Sequence, residues 1–336
     1  MNPQPDTRTQ LDWPSIAAQA TSFIATEYAS VSRDGTPVTW PVTPYSGTDR
    51  GTVDISTGLT YPLKAERARR NPKVALSFSE PTGSGLDAPA TFVIQGYATV
   101  RDADLRANSA RYLAQSAERF PDLTASTPDA VMRRMAWYWT RIWVEVTPVR
   151  VLWWPGGDLT AAPQVWEPAS PFDVPASDPA PGGRGAGSWN CATPEPWQRK
   201  TLHAIEALGL PVLTVVDDAG WPLPLRMRAA QRTDFGFRLT PPNGVTIPDG
   251  AACLTFHTHA ETFDSQSNVG VIGTCRWVGE SVEFHAERLM QNFDVPRNPL
   301  RRAVHMLSAG RKLKRRLDSE AQRRGQRVPR YEELGR

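Results

Sequence analysis

A chain of 336 residues with 40% hydrophobic content is long enough for two domains that each bury a core, and too apolar for a disordered protein. Its formal charge of +3 is uneven: residues 311–336 hold ten Lys/Arg against four Asp/Glu, leaving about −3 for the remainder, so specific nucleic-acid recognition by the folded part is not expected. No apolar run approaches the roughly 20 residues of a membrane span, Met1–Gln10 lacks a basic-then-apolar signal, and Cys191, Cys253 and Cys275 form no Cys-x-x-Cys pair; a cytoplasmic protein without a membrane span, disulfide framework or thiolate metal site is expected.

In chain order, Leu11 to Ser22 reads as a short helix with Pro14 in its first turn, followed by strands over Phe23–Ser32, Thr36–Pro44 and Gly51–Ser56. Asp34-Gly35 joins the first two strands, a tight hairpin signal because Gly adopts the positive φ that the turn needs. Pro62–Arg70 reads as helix within the basic stretch Lys64-Ala65-Glu66-Arg67-Ala68-Arg69-Arg70, Val74–Glu80 and Thr91–Arg101 as strands, Ala103–Arg119 and Pro128–Met135 as helices, and Tyr138 to about Trp153 as a closing strand. These elements place a first domain at residues 1–154.

Residues 155–188 hold seven Pro and six Gly in 34 positions, the composition of a linker or a surface wrap. Over residues 189–298 the order of elements repeats: helix Pro196–Leu208, strand Pro211–Asp217, turn Asp218-Ala219-Gly220, then strands Trp221–Arg228, Phe235–Thr240, Ala251–His257 and Val269–Val278. The second copy is shorter where the first carries its basic helix, and Pro241-Pro242-Asn243-Gly244 stands there without an equivalent of Lys64. Residues 299–336 form a basic helical tail.

The hairpin Ala29–Val38 and the stretch Lys64–Leu76 resemble the pyridoxamine 5'-phosphate oxidase-like split barrels, over residues 23–147 and more weakly over 210–285. The resemblance implies a mainly β fold with α, two tandem split β-barrels with flanking helices, and a bound FMN or deazaflavin F420, with haem a lesser alternative. It implies that Lys64 meets a phosphate tail, with Arg67 beside it and Ser56 and Thr57 as hydroxyl donors. Trp40, Pro41 and Val42 would wall a planar ring, and Gln95, ahead of Gly96, would lie near the cofactor. At the other family positions for phosphate-binding cations the chain carries Trp40, Tyr45 and Leu63, which argues against a pyridoxine phosphate oxidase proper and leans away from FMN.

On this reading the protein is an oxidoreductase acting by hydride transfer on a small organic substrate, with Tyr45 or Tyr61 as proton donor. The competing reading is a non-catalytic flavin- or haem-binding or stress-response protein, or a cofactor-free scaffold. His257, His259 and Glu261 alternate along a predicted strand and would share one face, but a metal site there is not expected. Two barrels in one chain allow a monomer with an internal pseudo-dimer, or a homodimer. Phosphate-binding, zinc-protease and serine-hydrolase motifs are missing from the sequence.

Overall fold

The computed structural model describes residues 11–47, 51–121, 127–183, 185, 196–295 and 298–335; Met1–Gln10 and Cys191 lie outside them. Helix α1 (Trp13–Ser22) is capped by Asp12, whose carboxylate accepts from the Ser15 amide at 2.9 Å. Strands β1 (Thr26–Val31) and β2 (Pro37–Val42) form the expected hairpin, with Gly35 at φ +84° and Asp34 accepting from the Thr36 amide. After β3 (Pro44–Ser46) and β4 (Val53–Gly58) come α2 (Leu63–Arg70), β5 (Lys73–Phe78), β6 (Thr91–Arg101), α3 (Leu105–Arg119), three short helical turns (Asp129–Met132, Arg133–Met135 and Ala136–Trp139), and β7 (Arg141–Trp154).

These strands make one antiparallel sheet in the order β2-β1-β5-β6-β7-β4-β3. Its edges, β2 and β3, are separated in sequence by Thr43 alone, so the sheet curls until its edges meet and α1 and α2 cover the core that it encloses. A bulge interrupts the β6–β7 pairing at Gln95-Gly96; a Cβ on Gly96 would lie 2.4 Å from the Thr147 carbonyl oxygen, so only glycine fits.

The second sheet comprises β9 (Val212–Val216), β10 (Pro222–Arg226), β11 (Ala229–Arg232), β12 (Gly236–Thr240), β13 (Gly250–His259), β14 (Gln266–Val278) and β15 (Ser281–Val295). Its order, β10-β9-β13-β14-β15-β12-β11, repeats the first strand for strand, so the fold is two curled antiparallel half-barrels in tandem. The sequence reading missed the short edge strands β3 and β11, and missed β15, whose Glu287, Arg288 and other charges stand on an exposed face and mask its alternation.

The two half-barrels share a core. Ala29, Ala75, Val93 and Leu152 of the first pack in one cluster with Leu223, Leu225, Ala252 and Leu254 of the second. Polar links cross the same surface: Thr39 and Thr214 hydroxyls lie 2.6 Å apart. Glu27 is fully buried and accepts through Oε1 from His257 at 2.7 Å, Arg226 at 3.0 Å and Ser79 at 2.7 Å.

The segment after β7 wraps the first half-barrel. Strand β8 (Gln164–Trp166) pairs with β7, Trp166 stacks on Trp13, and Asp178 accepts from the amides of Asp102 and Ala103. The carboxyl-terminal helix (Pro299–Arg323) packs on the same body. Leu313, Leu317 and Ala321 are buried, while Arg311, Lys312, Lys314 and Arg315 face outward. Arg323 pairs with Glu66 and Arg324 with Asp102, the latter at 2.9 Å, so these cations serve docking.

Candidate functional site

Strand β4 runs into a turn held by two bonds, from the Leu59 amide to the Thr140 carbonyl and from the Tyr61 amide to the Gly58 carbonyl. The turn delivers the first residues of α2 to the face of the β1–β2 hairpin. There the Lys64 side chain, half-buried, places Nζ 4.5 Å from the centre of the Trp40 ring, and the Tyr28 hydroxyl reaches the Lys64 carbonyl at 3.4 Å. One turn later Arg67 donates from Nε to the Ser30 hydroxyl at 3.2 Å. Register places Arg141, the first residue of β7, opposite Gly58; its guanidinium lies over the rings of Tyr112 and Tyr138, at 4.0 and 4.9 Å, and donates to the Tyr112 hydroxyl at 2.8 Å.

Among the described residues no carboxylate pairs with Lys64, Arg67 or Arg141. Burial, with the positive charge of Arg67 and Arg141, brings the Lys64 pKa down to about 7. The arrangement is a concentration of positive charge without an internal counter-ion, half-shielded from water, and it suits a phosphate or carboxylate group. Trp40, Pro41 and Val42 are half-exposed on β2; Trp40 and Val42 share one face of the strand, with Trp40 under Lys64 and Val42 against the core, and Pro41 stands on the other face.

The remaining predicted residues fall in several places. Ser56 and Thr57 are buried on β4, and the Thr57 hydroxyl donates to the Tyr61 carbonyl at 2.9 Å. Tyr45 is buried against Trp143 and Tyr112, at ring distances of 5.0 and 6.1 Å, and burial together with Tyr112 pushes its pKa up. Burial pushes Tyr61 up to about 12. Gln95 donates to the Asp217 carboxylate at 3.1 Å and so holds a turn of the second half-barrel. Glu261 is not on the strand with His257 and His259: β13 ends at His259, and Glu261 stands exposed in the following turn.

Sequence reasoning missed Arg141, which lies 77 residues from Lys64 in the chain; the only signal was its place at the start of a strand, next to an aromatic run. Arg316, one of the basic residues of the carboxyl-terminal tail, donates to the Thr60 carbonyl at 2.6 Å and sits 5.9 Å from the Tyr61 ring. In the second half-barrel the place of α2 is taken by the loop after β12, where Asn243 donates to the Thr160 carbonyl at 2.6 Å and Gly244 closes on Ala162. A shallow hollow of about 600 Å³ lined by Arg101, Phe172, Asp173 and Pro175 lies elsewhere; its arginine is bound to Glu145 and Asp178.

No family model matches the chain, and no curated protein matches it. Solved structures resemble parts of it. A conserved hypothetical protein from Mycobacterium tuberculosis is 19% identical, over 46% of this chain and 91% of its own, with a TM-score of 0.34. A pyridoxamine 5'-phosphate oxidase-related, FMN-binding protein from Nostoc punctiforme is 14% identical, over 43% of this chain and 84% of its own, at 0.30. An F420 reductase is 17% identical, over 40% and 93%, also at 0.30. Solved proteins of the pyridoxamine 5'-phosphate oxidase-related and F420 reductase kind thus resemble less than half of this chain, and its tandem of curled half-barrels is read from its own strand order.

Proposed function

We propose that the surface around Lys64 binds a flavin or deazaflavin, FMN or coenzyme F420, and that the protein is an oxidoreductase acting on a small organic substrate. The observation that carries this reading is the set of three basic residues, Lys64, Arg67 and Arg141, without a carboxylate partner among the described residues and with the Trp40 ring beside Lys64. The arginines and Lys64 hold the acidic tail, and Trp40 shields one side of the ring. When bound, such a cofactor supplies hydride transfer. The protein then positions the substrate and excludes water. Tyr61, at the edge of the turn before α2, is one of the two tyrosines proposed as proton donors. With its pKa raised to about 12 it gives up a proton only to a strongly basic product.

The test is a titration of the full chain with FMN, coenzyme F420 and haem, followed by fluorescence or absorbance, for wild type and Lys64→Ala. One cofactor is expected to bind, and to bind roughly tenfold or more weakly to the variant, about 1.4 kcal/mol. Binding unaffected by the substitution would place the site elsewhere. Binding without turnover would favour a carrier or sensor, and no binding of any of the three would favour a scaffold.

A further inference from the structure

The chain has five lysines, and their surroundings differ. Lys73 donates to the Ala219 carbonyl at 2.6 Å, Lys314 pairs with Asp318 at 3.1 Å, and Lys312 is exposed. Lys64 is half-buried over an indole, with no hydrogen-bond acceptor or carboxylate for its amine among the described residues. The charged and titratable groups set around it are Arg67 on the same helix, Arg141 on β7 and Tyr28 on β1. Only the Trp40 ring face favours an ammonium there, and the guanidiniums of Arg67 and Arg141 oppose it. The amine is therefore easily deprotonated, which agrees with a pKa of about 7, and its lone pair is available near neutral pH.

We propose that Lys64 is a nucleophilic amine that forms an imine with an aromatic aldehyde bearing an acidic group. The Nζ lone pair attacks the carbonyl carbon and a C–N bond forms. A proton moves from nitrogen to oxygen, giving a carbinolamine, which expels that oxygen as water and leaves C=N. No electrons are gained or lost. The acidic group answers the charge of Arg67 and Arg141, unpaired with a carboxylate among the described residues, and Trp40 offers apolar surface to the ring. This activity goes beyond the cofactor reading and does not require it.

Full-length protein would be treated with 4-formylbenzoate and sodium cyanoborohydride between about pH 6 and about pH 9, and the reduced adducts located by peptide mass mapping. Parallel arms use 4-formylphenyl phosphate and benzaldehyde. Lys64 is expected to be labelled roughly tenfold faster than any other lysine, because its lone pair is free near neutral pH. Its rate should reach half-maximum near pH 7. Both acidic aldehydes should outpace benzaldehyde, the faster of them naming the preferred acid, and Arg67→Gln should remove that advantage while benzaldehyde labelling continues. Equal labelling of all five lysines, or labelling of Lys64 with the pH dependence of an ordinary lysine, would overturn the proposal. Because the decisive readout uses wild-type protein and no flavin, a failure here is separate from a failure to bind FMN or F420.

Discussion

An ammonium over an indole and under the influence of two guanidiniums gains a counter-charge only when an anion joins it, and this makes Lys64 the residue on which pH should act. Its folded pKa of about 7 lies below the ordinary 10.5. The unfolded chain therefore holds the proton more tightly, and stability should rise with pH between those two values. Ligand binding runs the other way. An anion favours the charged form, so each binding event above pH 7 requires proton uptake, and affinity should weaken by up to about tenfold per pH unit. A phosphate monoester is already fully ionised in that range. A titration with inorganic phosphate or FMN at several pH values checks this, and Lys64→Arg should flatten the dependence while keeping affinity. Lys64 was legible in the sequence because it heads a basic stretch; Arg141 was not, because only the β4–β7 register brings it opposite Gly58.

Among elements, α2 separates the two halves of the chain. The first half-barrel carries a helix between its fourth and fifth strands and the second carries the loop after β12, so the cations are confined to one side. The difference could be read from loop length and from the absence of Lys in the second segment. The carboxyl-terminal helix was read from its charge, and charge was the weaker signal. Leu313, Leu317 and Ala321 recur at helical spacing and are buried, so the helix is amphipathic and docks by its apolar stripe. Leu317→Ala should lower stability by about 2–4 kcal/mol, as for a core leucine, measured by denaturant unfolding; a solvated tail would show almost no change. The exposed Lys312→Ala serves as the comparison and should be near neutral.

Across the whole molecule, the contact between half-barrels rests on an apolar cluster crossed by the buried Glu27 network. Burial by itself would raise the Glu27 pKa, but the hydrogen bond and charge of His257, with Arg226 and Ser79, outweigh it and bring the value down to about 2. A carboxyl lowered in this way contributes stability that is complete above its unfolded value of about 4.5 and is lost as pH falls towards 2. Acid titration of unfolding should show this loss, and Glu27→Gln should remove it from that window. Arg226→Met should cost about 3–5 kcal/mol at neutral pH, since it removes a partner from a buried charge.

The sequence by itself determined that the chain is mainly β, that its units recur in tandem, and that a cation heads a short helix in the first unit alone. Each of these depends on local signals: alternation along strands, turn residues such as Asp34-Gly35, and composition. Tertiary structure decided which residues meet. It joined Arg141 to Lys64, tied Gln95 to Asp217 and His257 to Glu27, and laid the carboxyl-terminal helix on the first half-barrel. These contacts link residues up to 257 positions apart, as for Glu66 of α2 and Arg323 of the carboxyl-terminal helix, and they follow from strand register and from the burial of one surface against another, which no local pattern encodes.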